Sequence, residues 1–177
     1  VVRILIDFSR REQLHLNLYD QEYWYTERPN SDEAVQYGKI AGLTPVALPF
    51  DQLMEKPITK ALLISSPPRL DEVKPTLTQL FGPDASLTSS LPHFLEILNP
   101  QVNKGNALTE VMRREEIPLD QVIAFGDGLN DLEMLQTVGW GVAMENARPQ
   151  LKSVAQAVAP HHGDSGVARY LESYLSC

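Results

Sequence analysis

The sequence predicts an α/β protein in two parts: a small α+β domain over residues 1–92, then part of a core with a parallel sheet over residues 93–177. Three observations carry this. From about residue 93, short apolar segments alternate with amphipathic ones, the pattern of strands whose connecting helices cover a parallel sheet. The first half meanders instead, with period-two stretches broken by turn residues. Finally, "VIAFGDGLNDLEML" at residues 122–135 sets two glycines, two aspartates and an asparagine between an apolar run and an amphipathic one. In open α/β sheets that place, just past the carboxyl end of a strand, is where ligands bind.

The elements follow in order. "VVRILIDFSRRE" is too densely apolar to separate the helix period from the strand period, so both stay open. It has no initiator methionine, and the chain reads as beginning part-way through a longer protein. "LHLNLYDQEYWYTE" alternates apolar and polar residues about a turn near Asp20–Gln21 and predicts a β-hairpin. "SDEAVQYGKIAG" predicts a short helix, with Ser31 as N-cap and Gly42 past its end. "GLTPVALPFDQLMEKP" is punctuated by proline and reads as loop; "ITKALLIS" reads as a strand. "LDEVKPTLTQLFG" puts Val73, Leu77, Leu80 and Phe81 on one helical face and stops at Gly82. "SLTSSLPHFLEIL" returns as extended chain. "NKGNALTEVMRREEI" predicts a helix with Ala107, Leu108, Val111 and Met112 in phase. "QVIAF" predicts a buried parallel strand, "NDLEMLQTV" a helix and "GWGVAM" a strand. "ENARPQLKSVAQAV" predicts a helix capped by Asn146 with Pro149 in its first turn. "DSGVARYLESYL" predicts a last helix with Val167, Tyr170, Leu171, Tyr174 and Leu175 in phase.

Bulk properties exclude several classes of function. The 177 residues are 43% hydrophobic and 21% charged, with a net charge of -8. An acidic balance argues against nucleic acid as a partner, and an acidic protein that handles anions needs local cations or a metal. No apolar stretch approaches the roughly 20 residues of a membrane span. The single cysteine, Cys177, has no internal disulfide partner, which suits a reducing, cytoplasmic setting.

Asp127 stands one residue past "QVIAFG", and Gly126 and Gly128 let the backbone turn there and approach a ligand closely. Asn130 and Asp131 fall at the start of the next helix, whose free amides favour anions. Such a site offers carboxylates to a hard cation; Mg²⁺ prefers a few carboxylates together with water and substrate oxygens. Gly-Asp-Gly alone is a common turn, but the whole hexamer between a strand and a helix has a narrower meaning. Lys104, just before a helix in "NKGNAL", would bring an ammonium to the same sheet edge, and Gly105 would let that helix start tightly. An ammonium there offsets charge on a phosphoryl group.

Together, "FLEILNPQVNKGNAL…VIAFGDGLNDLEML…GVAMENA" resembles the C-terminal half of the haloacid dehalogenase superfamily, and more narrowly its Cof-type Mg²⁺-dependent phosphatases. The resemblance is specific from about Leu91 onward and looser over residues 1–90, which are similar to that subfamily's α/β cap domain. It implies a partial Rossmann-like core and a phosphatase acting on a small phosphorylated metabolite. Residue by residue, it implies Asp127 as a Mg²⁺ ligand, Asp131 as the second acid near the metal, Asn130 as a contact to substrate phosphate, and Lys104 as the lysine that steadies nucleophile and phosphoryl group. Glu96, in the "LEI" stretch, receives no chemistry.

The family attacks phosphate with an aspartate of an Asp-x-Asp-Gly segment. The aspartates here are Asp7, Asp20, Asp32, Asp51, Asp71, Asp84, Asp120, Asp127, Asp131 and Asp164, and no two are spaced in that way. The expectation is therefore the metal-and-lysine side of a phosphatase site without its nucleophile, in a chain inactive by itself. A missing N-terminal core segment, or a second chain, would then have to cover the apolar edge of "QVIAF". In the family the cap selects substrate. Tyr23, Trp24 and Tyr25 suit either a pocket for a sugar or flat heterocycle or ordinary hairpin packing. His161 and His162 suit either a metal pair or an exposed loop, and the glycine-rich setting favours the loop; His15 and His93 carry no usable signal. Two other readings stay open: a non-catalytic phosphate-binding module, and a piece of the phosphorylation domain of a P-type ion pump.

Overall fold

The computed structural model describes residues 1–176; Cys177 lies outside the described residues. The chain forms two compact units, Val1–Pro100 and Gln101 onward.

In the first unit the ambiguous opening segment is a helix, α1 (Val2–Arg11), with Leu5, Ile6 and Phe8 buried on one face and two arginines in its last turn. The hairpin forms as β1 (His15–Tyr19) and β2 (Trp24–Thr26), antiparallel with Leu18 opposite Tyr25. Its turn is locked by Asp20, which accepts the amides of Glu22 and Tyr23 at 2.9 and 2.8 Å and the Tyr25 hydroxyl at 2.6 Å. Those bonds, the tyrosine's foremost, hold the Asp20 carboxyl at about 2. Helix α2 (Asp32–Ala41) begins where Ser31 Oγ accepts the Ala34 amide at 3.2 Å and ends at Gly42. The segment read as loop contains a two-residue strand, β3 (Val46–Ala47), and a 3₁₀ turn that buries Phe50 and Leu53. Next come β4 (Lys60–Ile64), α3 (Pro67–Phe81), β5 (Ser86–Thr88) and β6 (Phe94–Leu98). On α3, Val73, Leu77 and Phe81 are buried as expected, but Leu80 is 46% exposed: it lies one step off the stripe.

The sheet order is β3-β2-β1-β4-β6-β5. Strand β6 pairs with β4 over five residues, from Lys60 opposite Leu98 to Ile64 opposite Phe94. The boundary expected at residue 92 therefore falls after Pro100, because that ladder ties Phe94–Leu98 to the first unit. Side chains alternate across the sheet. Leu16, Leu18, Leu63, Leu95 and Ile97 join α1 and α3 in the main core, while Leu62, Ile64 and Phe94 meet Tyr19 and Tyr37 of α2 on the other face. Tyr25 belongs to the first set, and Trp24 lies buried against Tyr37, rings 5.2 Å apart. Two of the three hairpin aromatics are thus packing groups, while Tyr23 is exposed. His15 is buried too; it contacts Asn17 Oδ1 at 2.8 Å and Ser31 Oγ at 3.0 Å, and burial pushes its pKa down.

The second unit holds a parallel sheet, β7-β8-β9, formed by Ile123–Gly126, Trp140–Met144 and Ala157–Ala159. Around it lie α4 (Lys104–Arg114), α5 (Leu132–Thr137), α6 (Pro149–Lys152) and α7 (Gly166–Leu175). Two expectations are corrected. The helix foreseen over residues 145–158 is only the single turn of α6, and Asn146 is not its cap; the rest pairs with β8 as β9, Val142 opposite Ala157. On α4 the foreseen face is not buried: Val111 is 49% exposed, and the buried residue is Gly105. On α7, Tyr170 packs edge-on against Phe125 and accepts a bond from Trp140 Nε1 at 2.8 Å, whereas Val167, Tyr174 and Leu175 are exposed.

Candidate functional site

Strand β7 ends at Gly126, and a turn through Leu129–Asp131 leads into α5. The turn closes on the strand so tightly that a Cβ at Gly126 would lie 2.5 Å from Cβ of Asp131. No other residue fits there without displacing the carboxylate. Asp131 is 4% exposed. Its Oδ2 accepts the amides of Asp127 and Gly128 at 2.9 and 3.0 Å, and its Oδ1 is ion-paired with Lys104 Nζ. A nearly buried carboxylate is sustained only when its oxygens are met in this way.

This geometry changes the reading of the cluster. The sequence suggested Asp131 as a metal ligand and a row of free amides for a phosphate. In the folded chain Asp131 accepts the amides of Asp127 and Gly128, in the loop ahead of that helix, and acts as the pin of the loop. Lys104 does reach the site: it heads α4, and half of its side-chain surface remains exposed, so its ammonium can serve both Asp131 and an arriving anion. What brings it there is Gly105. A Cβ at that position would meet the Glu133 carbonyl at 2.8 Å, so the glycine permits close packing of α4 on α5 rather than a tight helix start.

Asp127 is exposed, one residue past the strand. Its Oδ2 accepts a bond from Asn146 Nδ2 at 3.0 Å. Asn146 Oδ1 in turn accepts the His162 amide at 3.3 Å, and the neighbouring Glu145 accepts the His161 amide at 3.1 Å. The two histidine rings stack on each other, centroids 4.5 Å apart. Asn130, half-buried, sits in the turn between Gly128 and Asp131. The structure thus brings Lys104, Asp127, Asn130 and Asp131 to one sheet end. Sequence reasoning missed Asn146, although "GVAMENA" already stood out as a motif.

Among the described residues no group of three or more histidine, cysteine, aspartate or glutamate side chains is arranged to hold a metal. Mg²⁺ needs less from a protein: one or two carboxylates, with waters and substrate oxygens completing its octahedron. An exposed carboxylate fixed by one neutral donor at a strand end fits as part of such a set. Asp131, with both oxygens on protein donors, fits as its support.

Comparison with known proteins places the fold in a family. The family model for haloacid dehalogenase-like hydrolases matches residues 1–171. A Yersinia pestis protein named HMP-PP phosphatase is 33% identical over 178 residues, covering 97% of this chain and 65% of its own length. The chain spans 62% to 65% of the length of the first curated relatives it matches. Among solved structures, a haloacid dehalogenase-like hydrolase from Bacteroides thetaiotaomicron superposes with a TM-score of 0.82 at 26% identity, over 98% of this chain and 66% of that one. A subclass IIB sugar phosphatase of the superfamily superposes with a TM-score of 0.80 over 98% of this chain and 65% of its own; at 21% identity it shows the fold alone. With nearly the whole chain matched by one family model, this protein belongs to the haloacid dehalogenase-like hydrolases.

Proposed function

We propose that the protein carrying this chain is a cytoplasmic, Mg²⁺-dependent phosphatase of the Cof type, acting on a small phosphorylated metabolite such as a sugar phosphate, nucleotide or cofactor phosphate. The observation that carries this reading is an exposed Asp127 held by Asn146 at the carboxyl end of β7, beside the ion pair of Lys104 with Asp131. The relative named HMP-PP phosphatase supports a phosphorylated small molecule as the substrate class.

In this reading the residues take the following roles. Asp127 offers a carboxylate to Mg²⁺, and Asp131 fixes the loop that presents it. Lys104 supplies a positive charge that offsets charge on the phosphoryl group. Asn130 contributes a polar contact to the phosphate. Bound Mg²⁺ would polarise the phosphoryl oxygens and neutralise developing charge. The nucleophile would be an aspartate outside these residues: its carboxylate takes the phosphoryl group as the ester P–O bond breaks and the alcohol leaves with a proton, and water then cleaves the aspartyl-phosphate to inorganic phosphate and free carboxylate. The first unit takes the substrate-selecting part of a cap, and a segment outside these residues covers the open edge of β7.

The test is hydrolysis of a panel of phosphate monoesters by the full-length protein, with Mg²⁺ or with chelator. Turnover should need Mg²⁺ and should fall by about a thousandfold in Asp127→Ala, the scale of losing several kcal/mol of charge stabilisation. Residues 1–177 alone should be inactive. Phosphorylated ligands that bind to full-length protein without turnover would replace this reading by that of a binding module.

A further inference from the structure

We infer that Asn146 is a positioning residue: it orients the Asp127 carboxylate for the cation and couples that carboxylate to the loop at His161–Asp164. The inference rests on the reading above, in which Asp127 meets Mg²⁺.

The side-chain amide of Asn146 has a defined orientation, and the backbone defines it. The His162 amide can only donate, so the atom facing it must be the carbonyl Oδ1. The NH₂ group therefore faces Asp127, where it donates to Oδ2 at 3.0 Å. A reversed amide would set oxygen against carboxylate and NH₂ against N–H, losing both bonds at once. The chemistry of the donor matters as much as its direction. A neutral amide fixes the rotation of the carboxylate while leaving its charge for a cation, whereas a lysine there would compete with the cation. An aspartate would put two negative charges about 3 Å apart, the spacing of the bond it replaced. An exposed, unsupported aspartate turns freely about its last torsion. With Oδ2 held, the cost of ordering the ligand is met before the metal arrives, as hydrogen-bonded partners do for metal-binding carboxylates generally.

The loop that aims the amide is built for the task. His161 N is held by Glu145 Oε2, Gly163 N donates to His161 Nδ1 at 3.0 Å, and Asp164 N donates to the His161 carbonyl at 3.0 Å. Where the loop rejoins α7, a Cβ on Gly166 would lie 2.0 Å from the Pro160 carbonyl. Coupling runs both ways: a cation on Asp127 should be felt at the His162 amide, and a disordered loop should weaken the cation.

The test uses ¹⁵N-labelled full-length protein titrated with Mg²⁺, read by calorimetry and by the backbone resonance of His162. In the wild type, Mg²⁺ binds and the His162 resonance moves. Asn146 is exposed, so Asn146→Ala should keep its Mg²⁺-free melting temperature, yet bind Mg²⁺ about tenfold more weakly and lose the His162 response. Glu145→Ala cuts the parallel tie to the loop without touching Asp127; it should speed exchange of the His161 amide and keep Mg²⁺ affinity. An Asn146→Ala protein with wild-type affinity overturns the inference. Equal weakening in both variants overturns it too, because loop order alone would then explain the loss. A wild type that takes up no Mg²⁺ overturns the functional reading itself, a result distinct from either.

Discussion

Asp131 shows how a residue can be placed in a cluster from sequence while its contacts stay hidden. The sequence places it four residues past Asp127 at the head of a helix, which marks it as part of the cluster. Only the folded turn shows that its two oxygens are bound by Lys104 and by the amides of Asp127 and Gly128. Composition and spacing carry no information about which carboxylate in a motif points outward. The same limit applied to Asn146: an asparagine ahead of a proline reads as a helix cap, and its true partners lie 16 and 19 residues away. The structure makes Asp131 a stability residue as well as a site residue. Replacing it with alanine leaves two partly buried amides and an ammonium without their acceptor. Each orphaned polar group costs about 1–3 kcal/mol, and the half-exposed lysine recovers most of its share in water. Asp131→Ala should therefore destabilise the second unit by about 2–4 kcal/mol and weaken Mg²⁺ binding with it. Denaturant unfolding with and without Mg²⁺ measures both, and an unchanged midpoint would remove Asp131 from its place as the pin of the loop.

At the scale of elements, the sequence was legible wherever one strong local signal set the structure. Ser31 and Gly42 bracket α2, the alternation about Asp20 forms the hairpin, and "QVIAF" is a strand. It failed where tertiary pairing overrode local pattern. "SVAQAV" has small residues compatible with a helix, yet β8 supplies a parallel ladder that takes Ala157–Ala159 as a strand. The 92/93 boundary failed for the same reason: "PHFLEIL" resembles the start of a new segment, but its hydrogen bonds go back to β4. Gly105 is the sharpest case, because propensity and packing predict opposite signs. In a free helix, Gly→Ala is favourable by about 1 kcal/mol. Here the new methyl would lie 2.8 Å from the Glu133 carbonyl and 2.9 Å from Thr137 Oγ1, and overpacking of this kind costs about 1–3 kcal/mol. Because the first obstacle is backbone, packing should win. Gly105→Ala should lower the melting temperature and push Lys104 away from Asp131, reducing in the full-length protein the turnover proposed above. A rise in melting temperature would show that α4 can shift on α5 at little cost.

At the scale of the whole molecule, the two units are unequally equipped to stand alone. The first has a continuous core that includes Leu5, Phe8, Leu16, Leu63, Leu77, Phe81 and Leu95. Each such side chain contributes about 1.5–3 kcal/mol when buried. The buried apolar groups of the second unit are fewer: Leu135, Leu151, Val138, Val142 and Met144 with several alanines. The same unit leaves Val102, Val111 and Ile117 exposed, and β7 pairs on one side only among the described residues. An apolar strand with an open edge is a poor state in water, and in a strand every second amide faces that edge. If a segment outside these residues pairs with β7, the edge-facing amides of Ile123–Gly126 should exchange slowly with solvent in the full-length protein. In residues 1–177 prepared alone they should exchange at least as fast as the loop amides, and the isolated chain should associate as its concentration rises. Slow exchange of those amides in an isolated, monomeric chain would mean that the second unit closes its own edge. The segment carrying the nucleophile would then have to reach Asp127 by some route other than pairing with β7.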